Sequence, residues 1–299
     1  MAAPEAMLLL WNASGTFRKV FDLPVPGRYR LARPPLAEAL AQIRFPLRAH
    51  LNTLDGVAPV QDHLNALFPY MTEQHVQQVT LLGQQGGPPQ AESQTSRAWR
   101  FTDDAGWTLL LAADSVSLSA GAQYGAFDEF VSRFERVLGA LAEAGGVARC
   151  DRLGVRYINI APVPVGIPDD WRGWFRPELT GWSATNVVGD QSTLLTSIAQ
   201  TQLSARPVGE LSGPPVDIQA IIRHGYIPPG IIIPGMVQIQ PAQQAAFLLD
   251  IDLFVEAPQS FDTRSLIEQL EILHRQIDMF FRWSLAAAGE NYFGLEELA

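Results

Sequence analysis

Between Ala245 and Leu285 the chain changes its hydrophobic period once. In "AAFLLDIDLFVEAP" the residues Phe247, Leu249, Ile251, Leu253 and Val255 alternate with a set that includes Asp250 and Asp252, the period of two that a β-strand requires. In "FDTRSLIEQLEILHRQIDMFFRWSL" the apolar residues Ile267, Leu270, Leu273, Ile277, Phe280 and Phe281 fall on one stripe of a long helix. A helix with such a stripe must bury it, and the strand before it offers a sheet face for the purpose.

The same order of signals occurs earlier. "GWTLLLAADSVSLSA" follows the turn residues "TDDAG" and reads as a hairpin. "YGAFDEFVSRFERVLGALAEAGG" then aligns Phe127, Phe130, Phe134, Val137, Leu138 and Leu141, and stops at Gly145-Gly146, a suitable C-cap. "CDRLGVRYINIAPVPV" is β-branched, aromatic and apolar on both faces, which predicts a central strand. Further strands are expected at 74–82, 96–102, 191–204 and 215–227, and a short helix from Pro59 to Phe68. The expectation is an α+β protein with antiparallel, largely meandering sheet and two long helices, 123–144 and 261–286, packed on it. Strands followed by a helix occur twice, which raises an internal duplication. Residues 1–32 read as an N-terminal extension, 33–165 as a first α+β half and 166–299 as a second, the halves packed as one unit.

Charge limits the partners. The formal net charge is −10, from 31 acidic and 21 basic residues, and this balance repels a phosphate backbone, so nucleic acid is not expected as a partner. No apolar run reaches the ~18 residues of a membrane span. The N-terminal "MAAPEAMLLLWNASG" has no positive charge before its apolar run, so the expectation is a cytoplasmic protein with no membrane association. Cys150 is the one cysteine and cannot form an intrachain disulfide.

Motifs for chemistry are sparse. His50, His63, His75, His224 and His274 form no HxH, HxxxH or HExxH unit, and one cysteine builds no thiolate site, so no metal and no cofactor is expected. No G-x-S-x-G, S-x-x-K or P-loop is present, which leaves no catalytic residue to nominate. Asp250 and Asp252 form a D-x-D on one strand face, read here as a solvated face rather than a cation site. "WRGWF" at 171–175 with Trp182 offers stacking surface, read as pinning a connector to the body of the protein.

"RPPLAEALAQIRFP", residues 33–46, places two charges in an apolar run. As a helix it aligns Leu36, Leu40, Ile43 and Leu47; as a strand it puts Glu38, Leu40, Gln42 and Arg44 on Leu36's face and the alanines, Ile43 and Phe45 on the other. Propensity alone favours the helix. Together with "RLGVRYIN" and the C-terminal strand and helix, this stretch resembles a sporadically distributed, divergent bacterial family with no established activity. The shared features are Pro-Pro-Leu-x-Glu at 34–38, Ile-Arg-Phe at 43–45 and the Arg-Tyr-Ile-Asn strand, over a span from Arg33 to Trp283. Val155 stands where the family more usually has leucine, and residues before Arg33 have no counterpart. In such relatives β-branched residues replace the alanines, which implies that 36–45 is a strand.

As a strand it places Glu38 and Arg44 ~20 Å apart at ~3.3 Å per residue, so each needs another partner. A buried unpaired charge is costly, and a pair between Glu38 and Arg156 on a neighbouring strand is the simplest remedy. Glu38, Arg44, Arg156, Tyr157 and Asn159 are therefore the candidate binding residues, against a purely structural reading of the Glu38–Arg156 pair. The functional expectation is a non-enzymatic protein-interaction or regulatory component with a protein partner; the family's sporadic distribution implies a mobile accessory or defence module. The alternatives are a binder of an apolar small molecule or peptide between helix and sheet, and an enzyme with an acid/Arg site.

Overall fold

The computed structural model describes residues 20–82, 90–121, 124–163, 170–184, 194–205, 217–230 and 243–298. Over these residues the chain is mixed α+β and strand-rich. In chain order come β1 (Tyr29–Leu31), β2 (Leu36–Arg44), α1 (Leu54–Leu64), β3 (Tyr70–Leu82), β4 (Gln90–Thr102), β5 (Trp107–Ala112), β6 (Ser115–Ala120) and α2 (Phe127–Glu143). They are followed by β7 (Arg149–Pro162), α3 (Pro177–Thr180), β8 (Ser197–Ala205), β9 (Ile218–Ile227), β10 (Ala246–Ser260), α4 (Thr263–Ser284), α5 (Ala287–Phe293) and β11 (Leu295–Glu297). Nine strands form one antiparallel sheet in the order β3-β4-β5-β6-β2-β7-β10-β9-β8, and β1 pairs with β11 apart from it. None of the described helices is long and apolar enough to cross a membrane.

Residues 36–44 are extended, against their helix propensity, because β6 and β7 supply a ladder on both sides. Ala39 and Ala41, fully buried, lie on the face that the helices cover, opposite Tyr157 and Val155 of β7. Small side chains there let the covering layer approach the sheet, so the alanines serve packing rather than helix formation. A register shift between Leu36 and Glu38 pairs Leu36 with Asn159 and Glu38 with Ile158. Leu36 therefore leaves the face of Glu38, Leu40, Gln42 and Arg44 that strict alternation assigns it.

The two faces of the sheet differ. On one, Phe247, Leu249, Ile251 and Leu253 of β10 are buried with Leu266, Leu270, Leu273 and Ile277 of α4, and the Trp107 ring lies 5.7 Å from Phe130 of α2. Ile267 and Phe281, assigned to the α4 stripe from spacing, are only partly buried, while Gln276 is buried within it. Gln276 Oε1 accepts hydrogen bonds from the N–H of Val20 (3.0 Å) and Phe21 (3.3 Å), and the Phe21 ring sits 4.7 Å from Phe280. Residues 20–31 of the expected extension are thus built into the fold through α4 and β11. On the opposite face, Ile158, Ile227, Ala246 and Leu248 form a second buried cluster.

Local signals explain the helix ends. Thr53 caps α1 by accepting from Gly56 N–H (3.1 Å), so the helix begins five residues before the expected Pro59, which sits inside it. Asp262 caps α4 by accepting from Ser265 N–H (2.9 Å). In the connector, Trp171, Trp174 and Phe175 are buried whereas Trp182 is exposed.

Candidate functional site

The five nominated residues divide between the faces of the sheet. Tyr157 and Asn159 point from β7 to the helix-covered side, and Glu38, Arg44 and Arg156 to the other. Arg44 is exposed at the end of β2, opposite Arg152.

Glu38 and Arg156 do not form the expected ion pair. Register places Ile158 opposite Glu38, and Arg156 reaches instead to β10, where Nε and Nη2 donate to Asp250 Oδ1 and Oδ2, both at 2.7 Å. Arg223 Nη1 of β9 donates to Asp250 Oδ2 at 2.9 Å. Asp250 is completely buried, which corrects the solvated reading of the D-x-D. Asp252 is also largely covered: burial raises its carboxyl above the ordinary range, against the pull of Arg152 and Arg156. Glu38 accepts a hydrogen bond from Ser119 Oγ of β6, and burial raises its carboxyl despite that bond and the charge of Arg156. The Asp250 carboxylate is thus held between two guanidinia, one from each neighbouring strand.

The opposite face carries a cleft of about 610 Å³. The segment 26–31, the entry to β2 at Pro34–Leu36, the start of α2, β7 and α4 enclose it. Tyr157 Oη stands 2.6 Å from Tyr124 Oη and 2.9 Å from His274 Nδ1, so three polar groups form one hydrogen-bonded chain. The Phe127 ring stacks on His274 with centroids 3.6 Å apart. One turn along α4 from His274, Asp278 Oδ1 accepts from Tyr29 Oη at 2.6 Å. Asn159 Nδ2 donates to Leu249 O at 3.1 Å, which ties β7 to β10 beneath the cleft.

Burial sets the electrostatics of this group. It pushes Tyr124 up to about 12 and raises Tyr29 and Tyr157 well above the ordinary phenol range, with Asp278 adding to each shift. It pushes His274 down to about 3, helped by the Arg275 charge. Asp278 is raised, because burial outweighs the Tyr29 bond and Arg282. At neutral pH the phenols and the imidazole are uncharged: no phenolate is ready to attack and the imidazole is too weak a base for proton abstraction. The arrangement suits recognition of a ligand by hydrogen bonds and ring faces.

Other nucleophile and metal candidates lie elsewhere. Cys150 is buried, donates to Arg152 O (3.3 Å) and is pushed up to about 12, the state of an inert thiol. Among the described residues no three His, Cys, Asp or Glu side chains converge as a metal site would need. Sequence reading missed Tyr29, Tyr124, His274 and Asp278; the available signal was His274 and Asp278 at i and i+4 beside Ile277 and Phe281, two polar groups within an apolar stripe. Comparison with protein-family models and with curated proteins finds no match.

Proposed function

We propose that this chain is a non-enzymatic interaction or regulatory component that works by capturing a ligand in the cleft between its helices and sheet. The observation that carries this reading is the juxtaposition of Asp278 with the rings of Tyr29, Tyr124, Phe127, Tyr157 and Phe281 around one cavity. Ring faces attract a cation, and the carboxyls of Asp278 and Asp128 bias the same space towards positive charge. Arg30, also in the lining, is engaged by Glu296 at 2.6 Å. The ligand class is therefore an apolar body bearing a protonated amine, either a small molecule or the basic side chain of a peptide.

Titration with phenethylamine, phenylethanol and phenylacetate, followed by calorimetry, separates charge from shape. The amine is expected to bind most tightly and to lose that preference in Asp278→Asn. Preference for phenylacetate would transfer the recognition to Arg28, and no binding by any of the three would remove the cleft from consideration.

We also infer that the sheet arose by duplication, with the repeat beginning at the two central strands. β2 is followed by a run to the far edge at β3 and a meander back through β4, β5 and β6 to its own side, then by α2; β7 is followed by the far edge at β8, a return through β9 and β10, and α4. On this reading the second unit starts at β7, ahead of the expected boundary after residue 165.

A further inference from the structure

The strand β8 closes one end of the nine-stranded sheet, and every residue from Ile198 to Ser204 is exposed. Because alternate residues face opposite sides, no described residue covers either face of the strand, and Ile198 is 44% and Leu203 39% exposed. Natural sheets guard such an edge with charge, proline, a bulge or a covering element, since its free N–H and C=O groups are a template for another strand. "SIAQTQLSA" contains no charged residue, no proline and no glycine. The other end of the sheet differs: on β3, Glu73 forms an ion pair with Arg97 at 2.8 Å.

β8 is also held firmly enough to act as a template. Gly225 of β9, at φ 142°, lets the Ser197 carbonyl approach so closely that a Cβ there would lie 1.8 Å from its oxygen. Arg223 Nε donates to Gln200 Oε1 at 2.8 Å across the same pair of strands.

We propose that the occupant of this edge is a second copy of the chain, the two β8 strands pairing antiparallel about a two-fold axis through Thr201. At the centre of the strand Gln200-Thr201-Gln202 reads the same in both directions. That register sets Thr201 opposite Thr201, Gln200 opposite Gln202, Ala199 opposite Leu203 and Ile198 opposite Ser204. Each pair matches polar with polar or large with small, and no like charges meet. A strand from an unrelated protein would not require this symmetry, whereas an isologous contact does. The axis runs perpendicular to the sheet, so both helix layers stay on one side and the sheet continues from copy to copy. Each copy carries a formal charge of −10, so the overall fields oppose association and added salt strengthens the dimer.

Sedimentation of the purified full chain, with three variants, tests this. The wild type is expected to sediment as a dimer whose dissociation constant falls as salt rises. Thr201→Lys brings like charges together at the axis and is expected to give a monomer that keeps the wild-type circular-dichroism spectrum and melts like the wild type diluted below its dissociation constant. Thr201→Cys is expected to form an intermolecular disulfide on mild oxidation. Gln200→Cys is not, because its symmetry mate lies two positions out of register, beyond disulfide reach. A monomeric wild type at low and high salt overturns the proposal. So does a dimer that survives Thr201→Lys without crosslinking through Thr201→Cys; that result would place the interface elsewhere.

Discussion

Arg156 and Asp250 meet across β7 and β10 through two parallel hydrogen bonds of 2.7 Å, and Arg223 closes on the same carboxylate from β9 at 2.9 Å. Three neighbouring strands are thereby cross-linked by one anion between two cations. The carboxylate is wholly buried, so it has no water to fall back on. Asp250→Ala leaves two guanidinia without their shared partner and is expected to cost ~3–5 kcal/mol in urea denaturation. Arg223→Ala is expected to cost less, since Arg156 retains both of its bonds. Equal losses in the two variants would mean that the outer arginine carries the clamp.

Glu38 responds differently, because Ser119 rather than an arginine holds it. Its folded pKa is raised, so between the unfolded value near 4.5 and the raised value the folded state binds the proton more strongly. Stability from this residue is therefore complete below that window and declines as pH rises through it. Glu38→Gln removes the charge and keeps the acceptor for Ser119, so it is expected to lie within ~1 kcal/mol of the wild type at neutral pH. The wild type should gain on the variant as pH falls towards 4.5. A loss of several kcal/mol in Glu38→Gln at pH 7 would restore an ionic role.

Sequence periodicity located β10, α2 and α4 because each has a long, one-sided apolar pattern, and burial of Glu38 followed from a charge inside such a pattern. Partner choice was not legible. Glu38, Ser119, Arg156 and Asp250 lie on four strands, and their meeting depends on strand order and on the shift at Leu36, neither of which leaves a local trace. Asp250 shows the same limit: alternation puts it on the face of Asp252 but does not say whether that face is covered. The cleft was half legible, through Tyr157 and Asn159, while Tyr29 and Tyr124 sit in short or irregular stretches with no period to betray them.

Leu270 is fully buried at the centre of the α4 stripe. Leu270→Ala removes three heavy atoms from a packed layer and leaves a cavity, at an expected cost of ~2–5 kcal/mol. A loss below ~1 kcal/mol in chemical denaturation would make α4 peripheral to the core.

Gln276, in the same stripe, anchors the N-terminal arm through two backbone amides. Gln276→Leu conserves much of the volume but strands both donors, each worth ~1–3 kcal/mol if it stays dry. Hydrogen exchange at Val20 and Phe21 is expected to accelerate at least about tenfold, the equivalent of ~1.4 kcal/mol, while exchange within β7 and β10 stays slow. Unchanged exchange at the two amides would show that the arm is held by its apolar contacts alone.

His274 is expected to make the fold sensitive to acid. Its folded pKa is about 3 against an ordinary 6.5, because burial and Arg275 disfavour the imidazolium. Between these values the unfolded chain binds more protons than the folded one, so stability falls as pH drops from 6.5 towards 3, at up to ~1.4 kcal/mol per pH unit. Asp278 works in the opposite sense, since its raised carboxyl takes up a proton more readily when folded. The two effects separate by substitution. His274→Gln keeps an acceptor for Tyr157 Oη but does not titrate, so it should melt below the wild type at pH 7, where the native ring packs against Phe127. As pH falls to 4 the wild type alone carries the cost of keeping an imidazole neutral, and the melting temperatures are expected to converge or cross. A gap that stays constant from pH 7 to pH 4 would mean that His274 titrates normally in the fold and that the cleft is wetter than its geometry requires.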